Sequence, residues 1–256
     1  MLYVIGTGLW KWDDISVRGL EASIRARRVY IDGYTRKFED AELEKLEERV
    51  GKKIIRLGRH ELEEGLGFLK EAESEDVALL VPGDPLVATT HITIVSEAGE
   101  RGIAVEIIHG SSIYTALIGE AGLHIYKFGG SCTIPMREKR IRPYSVYEKI
   151  RDNAARGLHT LVFLDTTPER EMDVGEALGI MQEIEGERKE EVFSDGKKIV
   201  AGCRLGSGEQ RIIYAEIRKL ANMEFKGPCT LIYPGKLHFT EEEFLGNCAG
   251  DAGESP

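Results

Sequence analysis

Three observations predict an α/β protein of two lobes. Short runs of Val, Ile and Leu recur along the 256 residues. They are nearly continuous in apolar character rather than alternating, as strands covered on both faces must be. Segments of helical spacing lie between many of them, the alternation that builds a parallel sheet with helices on its faces. Glycine-rich corners follow several strands, at the end where open α/β sheets hold their ligands.

The elements follow in order. Residues 2–5, 29–31, 54–57, 77–81 and 105–108 are expected as strands. Residues 40–50 form a helix, with Leu43, Leu46 and Val50 three and four apart and Gly51 where a helix stops. A second helix covers 89–101 before Gly102. The later half adds strands at 123–128, 160–164, 199–205 and 230–233, and helices at 143–156 and 173–185. The charged stretch 187–198, with Ser194-Asp195-Gly196, reads as an exposed turn, and the tail from Gly246 should fray. No Pro- or Ser-rich linker divides the chain, and the boundary is placed near Gly119 to Gly122. The expected lobes are therefore 1–119 and 120–256, with a ligand site in the cleft between them.

Composition excludes several classes. Apolar residues make up 42%, enough for an ordinary core. Lys and Arg number 34 against 44 Asp and Glu, a net charge of −10 that repels a polyanion, so nucleic acid is not expected as a partner. Every apolar stretch is broken well before the ~20 residues a membrane span needs, and the opening Met1-Leu2-Tyr3-Val4-Ile5 lacks the basic start of a signal peptide. A cytoplasmic protein without membrane attachment is expected. Cys132, Cys203, Cys229 and Cys248 stand far apart and read as mostly reduced, buried thiols. The six histidines are dispersed and none lies in a metal-binding frame, so no metal is expected.

Three corners carry the chemistry. Gly6-Thr7-Gly8 follows the first strand, but Lys11 occupies the place where a dinucleotide-binding turn needs its third glycine. Asp32, at the end of the second strand, could still mimic the acid that holds an NAD ribose. Pro82-Gly83-Asp84-Pro85 ends the strand 77–81. Its prolines fix φ around a glycine free to take conformations closed to other residues, so the corner is stiff. It would present Asp84 and backbone carbonyls, which suit hydroxyls, an amino group or a cationic centre rather than a polyphosphate; Asp84 could equally cap the following helix. Gly110-Ser111-Ser112-Ile113 repeats the arrangement, with the serines as cap or ligand contact. No Gly-x-Ser-x-Gly elbow is present.

These corners resemble the tetrapyrrole-methylase superfamily of S-adenosylmethionine-dependent methyltransferases. The resemblance is carried by Gly6-Thr7-Gly8-Leu9, by 83–91 (Gly-Asp-Pro-Leu-Val-Ala-Thr-Thr-His), by 122–129 (Gly-Leu-His-Ile-Tyr-Lys-Phe-Gly), by 157–165, and by Pro234-Gly235-Lys236-Leu237-His238. The segments 124–129 and 159–165 are most similar to the diphthamide-biosynthesis branch. The resemblance implies two αβα lobes, a homodimer, and S-adenosylmethionine folded in the interlobe cleft, leaving as S-adenosylhomocysteine. Carried over by position, it implies cofactor contacts at Leu9, Asp84, Val87, Ser112 and Ile113, then at Leu164, Leu205 and Cys229.

Members often carry a histidine where Cys229 stands, so a backbone contact would survive there and a side-chain contact would not. The loop 133–142 departs from the pattern. The implied partner is translation elongation factor 2, whose modified histidine bears a 3-amino-3-carboxypropyl group that receives the methyls. His91, Asp165 and solvent are the candidate proton acceptors, and no catalytic base is assigned. A basic run of Arg137, Lys139, Arg140 and Arg142 is a candidate docking patch or a solvated loop. The alternatives are a methyltransferase of corrin or porphyrin precursors, an NAD-dependent reductase built on the Gly6 corner, and a non-catalytic nucleotide-binding regulator.

Overall fold

The computed structural model describes residues 1–34, 38–139, 142–167 and 170–248. The chain divides into two compact units, Met1–Ile113 and Tyr114–Pro256. In the first, β1 (Leu2–Gly6), β2 (Arg28–Asp32), β3 (Ile54–Leu57), β4 (Val77–Val81) and β5 (Val105–Ile108) form one parallel sheet in the order β3-β2-β4-β1-β5. The central strands β1 and β4 are buried along their whole length, which is why their sequences admit no polar alternation.

Successive strand residues point to opposite faces, and here each face has its own core. Tyr3, Ile5, Val29, Ile31, Ala78 and Leu80 pack under α1 (Val17–Arg25) and α2 (Asp40–Val50), against Ala22, Leu43 and Leu46. Leu2, Val4, Tyr30, Val77, Leu79 and Val81 pack under α3 (Gly67–Ala72) and α4 (Ile92–Glu100), against Phe68, Leu69 and Ile94. Helix α2 stops at Gly51 in the left-handed region, φ 72°. Helix α4 starts at Ile92, three residues later than the sequence suggests, and Ala88, just ahead of the expected range, is in the left-handed region at φ 57°.

In the second unit α5 (Ile113–Glu120) leads to a mixed sheet of order β6-β7-β10-β8-β9. Its strands are β6 (Cys132–Ile134), β7 (Thr160–Leu164), β8 (Lys198–Cys203), β9 (Arg211–Glu216) and β10 (Cys229–Tyr233). Only β6 and β7 pair in parallel; the other three pairings are antiparallel. The remaining helices are α6 (Tyr144–Ala155), α7 (Val174–Arg188), α8 (Ile217–Ala221) and α9 (Phe239–Cys248). Val162, Leu164, Ile199, Ala201, Leu231 and Tyr233 meet Tyr147 and Ile150 of α6 and Leu178 and Met181 of α7. The alternate residues Leu161, Val200 and Ile232 are equally buried, and on their side Gly202 lacks the Cβ that would collide with Leu117 of α5. Each unit is thus an αβα sandwich.

Four expectations are corrected. Residues 123–128 do not form a strand: Ile125–Lys127 is a single 3₁₀ turn, and Tyr126 is 95% exposed where a covered strand would bury it. The stretch 187–198 does turn at Asp195-Gly196, but Val192 and Phe193 are buried in the core, so it is not simply exposed. Gly246 belongs to α9 rather than to a frayed tail, while residues 249–256 lie outside the described ones. The thiols are not all reduced. Cys203 and Cys229 stand directly opposite on β8 and β10, with Cα atoms 4.1 Å apart, and are joined as a disulfide. Cys132 is a free thiol whose pKa burial pushes up to about 12, and the Cys248 side chain lies outside the described residues.

Candidate cofactor site

Three glycines end three neighbouring strands of the first sheet. A Cβ on Gly6 would stand 2.6 Å from both the Gly110 nitrogen and the Gly83 oxygen, and one on Gly110 would stand 2.5 Å from the same oxygen. Backbone therefore packs directly on backbone at the C-terminal ends of β1, β4 and β5. Gly8 and Gly83 tie the junction: the Gly83 N–H donates to the Gly8 carbonyl at 2.8 Å and the Gly8 N–H returns to the Gly83 carbonyl at 3.3 Å. Both have positive φ, 80° and 82°, which excludes residues bearing a Cβ without strain. A Cβ at Gly83 would meet nothing within 4 Å, so this side of the corner is open.

Asp84 holds the corner from within. Its carboxylate is 7% exposed and accepts from the Leu86 N–H at 3.0 Å, from the Gly110 N–H at 3.4 Å and from His109 Nδ1 at 2.8 Å. It closes an Asx turn and links the β4 corner to the β5 corner; it does not cap α4, which begins at Ile92. Val87 is 38% exposed on the same corner, and Leu9 and Ile113 are partly exposed. Ser112 is buried immediately before α5. The structure thus gathers Leu9, Asp84, Val87, Ser112 and Ile113 at the strand ends of one sheet. Carbonyl-rich backbone, missing Cβ atoms and a carboxylate suit the hydroxyl, ammonium and sulfonium groups of S-adenosylmethionine.

The dinucleotide alternative fails on the same geometry. The amides that follow Gly8 are already used: Trp10 N–H and Lys11 N–H donate to the Asp14 carboxylate at 2.7 and 2.8 Å. Those two amides are therefore not left for a pyrophosphate, and α1 starts only at Val17. Asp32 is fully buried, accepts from the Tyr34 N–H at 2.7 Å and lies 3.2 Å from His91 Nε2. It is a folded-in acid and not an open ribose acceptor.

Leu164, Leu205 and Cys229 also converge, at one end of the second sheet. Leu164 ends β7, Cys229 opens the adjacent β10, and Leu205 follows β8, whose last residue, Cys203, is bonded to Cys229. All three are less than a tenth exposed. With its sulfur in the disulfide, Cys229 has only its backbone to offer. A cavity of about 450 Å³ lies beside this end, lined among others by Cys203, Arg204 and Arg211.

Of the two side chains considered as proton acceptors, His91 is 4% exposed against Asp32, and Asp165 accepts from the Met136 and Thr166 amides at 3.0 and 3.1 Å. Only its place as the last polar residue before a glycine corner marks His109 in the sequence. In the basic run, Arg137 pairs with Glu183 at 2.7 Å and Arg142 with Glu187 at 2.6 Å, which neutralises both; Arg140 and the Lys139 side chain lie outside the described residues. Among the described residues no group of three or more His, Cys, Asp or Glu is placed to hold a metal. No described helix is long and apolar enough to cross a membrane.

Residues 1–221 match the family model described as Tetrapyrrole (Corrin/Porphyrin) Methylases. The diphthine synthase of Methanocaldococcus jannaschii is 38% identical over 251 residues, covering 96% of this chain and 97% of the relative. That of Methanosphaera stadtmanae is 38% identical over 248 residues, covering 96% and 94%. A crystal structure of diphthine synthase superposes with a TM-score of 0.86 at 38% identity, over 97% of this chain and 95% of the other. A putative diphthine synthase from Entamoeba histolytica gives 0.87 at 34% identity, over 96% and 97%. The chain belongs to the diphthine synthase group of the tetrapyrrole methylase family and is an S-adenosylmethionine-dependent methyltransferase.

Proposed function

We propose that the chain acts in diphthamide biosynthesis, methylating the amine of the 3-amino-3-carboxypropyl group carried by a histidine of translation elongation factor 2. The name shared by relatives that cover nearly the whole chain supports this substrate. The carrying structural observation is the junction of Gly6, Gly83 and Gly110 with the buried Asp84 beneath it. When bound, S-adenosylmethionine supplies an activated methyl group and a thioether leaving group.

This chain's own part is to bind, orient and exclude water, which can supply ~7–11 kcal/mol of a barrier. In the first unit Leu9, Val87, Ser112 and Ile113 would contact the cofactor on the frame that Asp84 fixes. In the second unit Leu164, Leu205 and the Cys229 backbone would do so. The enzyme would work as a homodimer in the cytoplasm.

Calorimetric titration with S-adenosylhomocysteine, with NADH in parallel, tests the class, and transfer of labelled methyl to purified elongation factor 2 bearing the aminocarboxypropyl group tests the substrate. Micromolar binding of the first ligand alone, followed by label on the factor, is expected. Binding without any labelling of the factor would overturn the substrate.

A further inference from the structure

His109 is built as a base at the edge of this site. It follows the last residue of β5 and precedes Gly110 of the backbone junction. Its ring is 70% exposed, yet Nδ1 is fixed at 2.8 Å on the Asp84 carboxylate, which is 7% exposed. Asp84 cannot swing away, because the amides of Leu86 and Gly110 hold the same carboxylate. A carboxylate accepts and does not donate, so the proton of the neutral ring sits on Nδ1. The Nε2 lone pair is then left outward, with no bonding partner among the described residues. A buried acid that fixes the tautomer of an exposed imidazole is the arrangement that makes histidine a general base.

The proposed substrate needs one. An α-amino group of ordinary pKa, about 8, is mostly ammonium at neutral pH and has no lone pair to attack with. Each monomethyl or dimethyl product is again an ammonium that must lose a proton before the next methyl can be added.

We propose that His109 Nε2 takes these protons and that Asp84 is its positioning residue; the inference rests on the methyltransferase reading above. In the step an N–H bond of the substrate ammonium breaks and its electron pair stays on nitrogen. An Nε2–H bond forms, and the exposed imidazolium then passes the proton to water. His109 lies three residues before Ser112 and is bonded to Asp84, so it stands among the residues assigned to the cofactor. This gives Asp84 two tasks, the frame of the corner and the tautomer of the base.

The experiment has one arm without turnover and one with it. In ¹⁵N-histidine-labelled protein, neutral His109 should show a protonated Nδ1 and a bare Nε2, and Asp84→Asn should abolish that preference. The opposite tautomer in the wild-type chain overturns the inference. In single-turnover methyl transfer at neutral pH, His109→Gln should be slower by about 100-fold, with S-adenosylhomocysteine affinity within threefold of wild type. Added imidazole should restore rate to His109→Ala and not to His109→Gln, whose side chain fills the place. Wild-type rate in His109→Gln, or a rate lost only in step with cofactor affinity, would also overturn it. A wild-type chain that binds no S-adenosylhomocysteine fails the methyltransferase reading itself, and the inference falls with it.

Discussion

Glu241 and His159, both without exposed surface, meet at 3.1 Å between Oε1 and Nε2 although 82 residues separate them in sequence. His159 uses its other nitrogen, Nδ1, to accept from the Gly235 N–H at 2.9 Å. Glu241 also accepts from the backbone N–H groups of His124 and His238 and from the Lys127 ammonium. One carboxylate thus joins α9 to the 3₁₀ turn, to the segment entering β7 and to the loop after β10.

Acid should undo this hub late. Burial alone would raise the Glu241 pKa, but the His238 N–H, the Lys127 ammonium, the His124 N–H and His159 outweigh it and hold it at about 2, below the ordinary 4.5. A depressed folded pKa means the contribution is complete above pH 4.5 and is lost as the pH falls toward 2. Glu241→Gln should lower stability at pH 7 by about 3 kcal/mol, since Lys127 loses its buried counter-charge, and should flatten the acid limb of a pH series of denaturant midpoints. A limb of unchanged steepness would show that other carboxylates govern it.

Reduction should weaken the second unit. The Cys203–Cys229 bond joins register partners 26 residues apart, a loop for which cross-linking stabilises by about 3 kcal/mol. Denaturation with and without reductant measures this. The double variant Cys203→Ser, Cys229→Ser should match the reduced protein and respond to reductant no further.

Asp84→Ala should cost cofactor affinity more than fold. Two amides and His109 lose their acceptor, about 1–3 kcal/mol of stability, while S-adenosylhomocysteine affinity should fall at least ~10-fold as the corner loosens. Normal affinity in the folded variant would remove Asp84 from the site.

Two glycine substitutions should have opposite signs. Gly110→Ala forces a Cβ to 2.5 Å from the Gly83 carbonyl, where backbone cannot yield, and should destabilise by more than about 2 kcal/mol. Gly186→Ala, in α7 with nothing within 4 Å, should stabilise by about 0.5–1 kcal/mol. Equal shifts in thermal midpoint would mean the junction is looser than its contacts.

The first sheet was readable because its central strands β1 and β4 are buried along their whole length, so residues 2–6 and 77–81 fall where the apolar runs lie, and the partly exposed edge strands 54–57 and 105–108 keep enough apolar character to follow them. The second was less so. β6 is three residues long, and β9 shows Ile213 and Ala215 buried between partly exposed neighbours, so neither makes a continuous run. α9 carries three successive glutamates, and only its fold position reveals that Glu241 is buried and paired. The glycine corners were legible from local conformational demands. The His109–Asp84 pair was not, since 25 residues lie between the two and only the parallel arrangement of β4 and β5 around β1 brings them together.

That strand order also sets when the enzyme can come into being on the ribosome. β1 is made before both of its partners, Val77–Val81 on one side and Val105–Ile108 on the other. One of its hydrogen-bonding edges stays unpaired until β4 has been made, and the other until β5 has followed. The nascent chain must carry an apolar, unpaired strand through most of the synthesis of its first unit, the stage at which holding chaperones have the most to protect.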